Sequence, residues 1–114
     1  VAGFSFGAWI GMQLLMRRPE ITGFISVAPP ANMYDFSFLA PCPASGLMIN
    51  GTADRVAPRA DTHTLVGKLH EQKGITITHT EVDGAGHFFE EPHLDTMIDH
   101  TTTYVKRRLT ENTR

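Results

Sequence analysis

The sequence has few of the features that mark disulfide-rich, membrane-spanning or nucleic-acid-binding proteins. Its 114 residues include one cysteine, Cys42, which excludes an intrachain disulfide framework and a cysteine-rich zinc module. No apolar run is long enough to span a bilayer, and a net charge of -2 offers no excess of basic side chains for polyanions. We therefore expect neither nucleic acid nor membrane as a partner, and we predict a cytoplasmic location.

The composition is that of a folded globular protein, with 41% hydrophobic and 19% charged residues. The length suits a single domain over residues 1–114. The chain begins with Val1, and Val1 and Ala2 resemble the end of a buried strand. We therefore expect residues 1–114 to be the carboxyl-terminal part of a longer protein, with some strands of its sheet absent.

Apolar runs and helix-forming segments alternate along the chain. The pattern predicts helices over 8–18, over 61–73 and from Pro92 onward, strands over 23–28, 46–50 and 75–82, and a loop with a helical turn over 31–43. Such alternation is typical of an α/β fold, a mainly parallel sheet with helices on both faces.

Residues 3–7 form a G-x-S-x-G pentapeptide between an apparent strand end and the first helix. This pattern is typical of a tight turn that exposes the serine hydroxyl, and we expect a side chain at Gly3 or Gly7 to clash there. The pentapeptide alone is weak evidence, because Ser5 is equally suited to capping a helix.

Ser5, Asp54 and His87 each follow a predicted strand. The loops after parallel strands meet at one edge of a sheet, so we predict that these three side chains lie together. Their order along the chain is that of a catalytic triad in this architecture. Two other acids, Asp83 and Asp35, are rivals to Asp54, which is also suited to stabilising a turn.

These motifs resemble the second half of an α/β-hydrolase, through residues 3–7, 51–58 and 84–89. Residues 26–30 and 36–39 further resemble a group of small bacterial hydrolases that lack a lid domain. The resemblance implies a doubly wound, mainly parallel sheet and a serine hydrolase that cleaves ester, thioester or related acyl bonds through an acyl-serine intermediate.

The resemblance also implies a role for each residue of the motifs. Ser5 would be the nucleophile, His87 the base and Asp54 the group that orients the imidazole, while the Phe6 amide would donate to the oxyanion. No metal or organic cofactor is expected. A second oxyanion donor normally follows an earlier strand, so we expect the chain by itself to be a poor enzyme.

The spacing leaves no room for a cap domain. The 49 positions from Ser5 to Asp54 (54 − 5) must hold one helix and two strands, which leaves only residues 29–43 uncommitted. We therefore predict a shallow cleft for a small-molecule acyl substrate. Its expected borders are aromatic: Tyr34, Phe36, Phe38 and Phe88.

Two alternatives remain open, a ligand- or partner-binding domain without turnover and an inactive fragment of a longer hydrolase. We expect no metal site. His63 and His70 share a predicted helix face without a third ligand, and His93 beside Glu90 and Glu91 matches no zinc motif. The sequence leaves the oligomeric state open.

Overall fold

The computed structural model of the chain describes residues 1–39 and 41–112. Its elements come in the following order: β1 (Ala2–Phe4), α1 (Phe6–Arg17), β2 (Phe24–Val27), a 3₁₀ turn (Ser37–Leu39), β3 (Gly46–Gly51), α2 (Arg59–His70), β4 (Ile77–Val82) and α3 (His93–Asn112).

The four strands form one parallel sheet in the order β1-β2-β3-β4. Phe4 lies opposite Val27, and Gly51 lies opposite Val82, so the carboxyl ends of the strands are level with one another. The predicted alternation and parallel sheet are confirmed. The expected burial of the first strand is not, because β1 lies at the edge of the sheet and both Ala2 and Phe4 are exposed.

The helices cover both faces of the sheet, as predicted. Alternate residues of each strand point to opposite faces. On one face Phe24 and Met48 pack with α1 and α2 through residues such as Met12 and Leu65. On the other face a second cluster of apolar side chains meets α3: Val27, Leu47, Ile49, Val82, Phe89 and Tyr104.

The segment between β2 and β3 is short, and its described residues hold only the 3₁₀ turn. The predicted absence of a cap domain is therefore confirmed for residues 1–39 and 41–112. The boundaries of α2 differ from the expectation: the helix begins at Arg59, directly after Pro58, and ends at His70. Within the described chain, no helix is both long and apolar enough to cross a membrane.

Candidate active site

Ser5 occupies a strained turn between β1 and α1. Its backbone has φ 56° and ψ -121°, a region that non-glycine residues rarely adopt. A Cβ at Gly3 would lie 2.2 Å from the Gly7 carbonyl oxygen, so this position requires glycine. The expectation for Gly7 was wrong, since a Cβ there would meet no atom within 4 Å.

A continuous chain of hydrogen bonds joins the three predicted residues. Ser5 Oγ lies 2.8 Å from His87 Nε2, and His87 Nδ1 lies 2.8 Å from Asp54 Oδ2. The side chain of His87 is 4% exposed and that of Asp54 is 0% exposed. An acceptor carboxylate on Nδ1 keeps a hydrogen on that nitrogen, which leaves the Nε2 lone pair to accept the hydroxyl hydrogen of Ser5.

The loop after β3 holds the Asp54 carboxylate in place. The backbone amides of Val56 and Ala57 each donate to Asp54 Oδ1 at 2.8 Å, so both carboxylate oxygens have partners. Sequence reasoning missed these two donors, although residues 51–58 contain them. Full burial is tolerable for this charged group because every oxygen is hydrogen-bonded.

The loops carrying Asp54 and His87 pack directly against each other. The Ala53 amide donates to the Ala85 carbonyl oxygen at 3.0 Å. A Cβ at Gly51 would lie 2.1 Å from that same oxygen, so the close approach requires glycine there. Phe89, buried to 1% exposure, anchors the far end of the His87 loop in the core.

The rival acids are occupied elsewhere. Asp83 accepts a hydrogen bond from the Thr52 hydroxyl at 3.3 Å and helps to shape the turn before His87, as expected. Asp35 accepts from the Ser37 amide, and this backbone hydrogen bond lowers the pKa of Asp35. Cys42 is buried in the core cluster of α1 and α2, and burial raises the pKa of its thiol.

Phe6 is the first residue of α1, so no helical carbonyl lies in reach of its amide. The N–H groups of a first helical turn, together with the helix dipole, favour a negative charge at this end. The Phe6 amide directly follows Ser5 in the chain. The position is therefore suitable for an oxyanion donor.

Aromatic side chains flank Ser5 in two groups. Phe6 packs with Tyr34 at 5.3 Å between ring centroids, and Tyr34 stacks on Trp9 at 4.9 Å. On the His87 side, Phe4 lies 5.3 Å from the imidazole and 6.1 Å from Phe88. The positions of Phe4 and Trp9 beside Ser5 were not predicted, because neither is visible without the packing of the loops.

One of the predicted cleft residues is a core residue instead. Phe36 is 6% exposed and belongs to the core cluster of α1 and α2. Phe38 is only partly buried and stacks on Phe36 at 6.3 Å between ring centroids, so its place in the cleft stays a prediction. Phe36 also lines a cavity of about 370 Å³ between the 31–39 segment and α2. Tyr34 lines that cavity too, whereas Ser5 and His87 do not.

A second polar cluster lies where α2 packs on β4. His63 and Arg59 of α2 both contact the Glu81 carboxylate, and the buried Asn50 contacts both Glu81 and His79. The Arg59 hydrogen bond holds the pKa of Glu81 far below its usual range, and burial lowers the pKa of His79. His63 thus gains partners that the sequence did not indicate, because they come from another element.

Several comparisons with known proteins bear on the fold. One similar solved structure is that of a protein of unknown function from Agrobacterium tumefaciens, described as a candidate α/β-hydrolase. It matches with a TM-score of 0.95 and 62% identity, and the match covers 97% of this chain and 50% of that one. The chain has a partial α/β-hydrolase fold. An α/β serine hydrolase without a lid from Xanthomonas campestris matches with a TM-score of 0.67 and 31% identity, covering 83% of this chain and 41% of that one.

An uncharacterised protein of Rickettsia prowazekii is 50% identical over 93 residues, which are 78% of this chain and 39% of that protein. No family model matches the sequence. The chain thus spans half or less of the length of these three relatives. The resemblance to the α/β-hydrolases and the predicted fold class are confirmed.

Proposed function

We propose that the chain carries the catalytic residues of a serine hydrolase that cleaves ester, thioester or related acyl bonds. The observation that carries the proposal is the hydrogen-bonded chain from Ser5 Oγ through His87 to Asp54, with 2.8 Å at both links. A hydroxyl is a weak nucleophile at neutral pH and needs a base of this kind at hydrogen-bond distance. The hydrolase relatives support the same reaction class.

In the first half of the reaction, Ser5 Oγ attacks the acyl carbon and His87 Nε2 takes the hydroxyl proton. The Asp54 carboxylate stabilises the imidazolium through Nδ1. The Phe6 amide donates to the oxygen that becomes negative. His87 then returns the proton to the leaving group, which gives an acyl-serine. In the second half, His87 takes a proton from the water that attacks the acyl-serine, and it returns that proton to Ser5 Oγ as the acid is released.

The surroundings of Ser5 favour a substrate with an apolar part. Phe4 and Phe88 are 42% and 68% exposed beside the imidazole, and Phe6 is 50% exposed on the other side of the serine. We assign Tyr34 and Phe88 to substrate contact and keep a small-molecule acyl compound as the substrate. Phe36 is not assigned to it, because it packs in the core, whereas the partly buried Phe38 stays a candidate. The mechanism uses no metal or organic cofactor.

A fluorophosphonate probe tests the nucleophile. The protein should be labelled at Ser5, and Ser5→Ala should abolish labelling. Ser37→Ala is the matched control, because Ser37 is an exposed serine that contacts none of the three residues, and it should leave labelling unchanged. Absence of labelling, or labelling that persists in Ser5→Ala, would remove the proposed mechanism.

The alternative is a domain that binds a ligand or partner without turnover. A panel of short p-nitrophenyl esters separates the two functions. Hydrolysis that depends on Ser5 supports the enzyme, whereas labelling of Ser5 without turnover of any ester supports the binding domain.

A further inference from the structure

We propose that His63, His79 and Glu81 form a binding site for a divalent transition-metal ion of the zinc class. One ring nitrogen of each histidine and one carboxylate oxygen of Glu81 all lie within 4.8 Å of one another. The site is separate from Ser5 and His87 and takes no part in the proposed hydrolysis.

Two secondary-structure elements build the site. His79 and Glu81 are two residues apart on β4, so their side chains point to the same face of the sheet. That face is covered by α2, which brings His63 to Glu81, with His63 Nε2 3.0 Å from Glu81 Oε2. A metal ion bound there would join the helix to the strand.

The three donor atoms lie somewhat farther apart than zinc requires. Bonds of roughly 2.0–2.2 Å in a tetrahedral site place neighbouring ligand atoms about 3.3 Å apart. The observed spread of up to 4.8 Å therefore requires a modest inward movement. His63 can make this movement, because its side chain is 46% exposed and lies on the solvent side of the cluster.

The types of ligand select the class of metal. Two imidazoles and one carboxylate suit zinc and its transition-metal neighbours, whereas magnesium and calcium prefer sites built from oxygen alone. Asn50 supplies an outer layer of support. It is fully buried, its Nδ2 donates to Glu81 Oε2 at 3.0 Å, and its Oδ1 accepts from His79 Nε2. Partners of this kind orient metal ligands in other sites.

Arg59 would compete with a metal ion for the Glu81 carboxylate. Its Nε and Nη2 donate to the two Glu81 oxygens at 2.6 and 2.9 Å, so the guanidinium supplies the positive charge that a metal would replace. The Arg59 side chain is 52% exposed and can turn into solvent. A metal at His63 and Glu81 must displace it from Oε2.

The test is zinc binding by the full 114-residue chain, measured by isothermal titration calorimetry after treatment with a chelator. We expect one Zn²⁺ per chain, and an affinity at least tenfold lower in His63→Ala and in Glu81→Gln. Arg59→Gln should bind zinc severalfold more tightly than the wild type. Because the measurement is of binding, it does not depend on hydrolase activity.

His70→Ala is the matched control. His70 is an exposed histidine on the same helix, outside the cluster, and its loss should leave the affinity within twofold of the wild type. Zinc should also raise the melting temperature of the wild type and not that of His63→Ala. The proposal is overturned if zinc does not bind saturably or if Mg²⁺ binds as tightly as zinc. It is also overturned if His63→Ala binds zinc as tightly as the wild type does, or if Arg59→Gln does not bind it more tightly.

Discussion

The molecule places imidazole and carboxylate side by side in two regions, with different surroundings. In the loop region, the hydrogen-bonded partners Asp54 and His87 have side chains that are 0% and 4% exposed, and two backbone amides hold the remaining carboxylate oxygen. In the α2–β4 region, His63 and Glu81 are 46% and 23% exposed, and a guanidinium shares the carboxylate.

The difference shows how surroundings decide what the same two groups can do. A buried carboxylate with fixed amide partners holds one imidazole in one orientation and one tautomer, which suits repeated proton transfer. A partly exposed carboxylate beside the Arg59 guanidinium keeps its negative charge and can exchange that cation for another. The first arrangement suits catalysis at Ser5, and the second suits metal binding.

The largest expected effect comes from His87→Ala, which removes the base from the first region. We expect a loss on the order of 10⁶-fold in the turnover number, because serine and histidine of such a triad act as a unit. Ester hydrolysis and the rate of fluorophosphonate labelling measure it. His63→Ala, which removes the corresponding imidazole of the second region, should leave both rates unchanged. A comparable loss in both variants would erase the distinction between the regions.

Asp54→Asn should cost less, roughly 10⁴-fold in turnover, because the amide favours the wrong imidazole tautomer while Ser5 and His87 remain. Asp83→Asn is the control acid, and full activity is expected there, since Asp83 contacts Thr52. Steady-state kinetics on a p-nitrophenyl ester measure both. If Asp83→Asn proves the more damaging change, Asp54 is not the acid of the triad.

Gly51→Ala tests the close packing of the two loops that carry Asp54 and His87. The new Cβ would lie 2.1 Å from the Ala85 carbonyl oxygen, so the loops must separate, at a cost of about 1–3 kcal/mol in unfolding free energy. Gly67→Ala in α2 meets no atom within 4 Å and should instead stabilise the chain by about 0.5–1 kcal/mol. Thermal or urea unfolding measures both, and equal effects would show that the loops do not need this contact.

The smallest expected effect concerns Glu81. Its pKa in the folded state lies below the unfolded value of about 4.3, so the folded state binds fewer protons there. The resulting stability is present above that value and is lost as the pH falls below it. Glu81→Gln should reduce the loss of unfolding free energy below about pH 5, and should therefore flatten the fall in melting temperature there. The reduction is at most about 1 kcal/mol, because the ion pair with Arg59 is partly exposed. Arg59→Gln should flatten the fall similarly, and an unchanged curve in both variants would contradict the assignment.

Much of the candidate site was predictable because its signals are local. The pentapeptide around Ser5 and the positions of Asp54 and His87 after strands are visible along the chain, and parallel strands bring such positions to one edge of the sheet. Phe36 was misassigned because an aromatic residue in a loop can face either a cleft or the core. Composition does not distinguish the two directions.

The α2–β4 cluster was not predictable for the opposite reason. Helical spacing places His63 on the same face as His70. Its neighbours in the structure are instead His79 and Glu81, which lie on β4. Which helix face meets which strand face depends on how the core side chains pack, and no spacing within either segment encodes it.

By itself, the sequence determined the alternation of strands and helices, the parallel sheet and the three loops that carry a hydroxyl, an imidazole and a carboxylate. These follow from local periodicity and from the geometry common to parallel strands. Only the tertiary structure decided the amide partners of Asp54, the burial of Phe36 and the meeting of His63 with Glu81. Each of these depends on contacts between segments distant in the chain or on the direction of a side chain, which are set when the whole core packs at once.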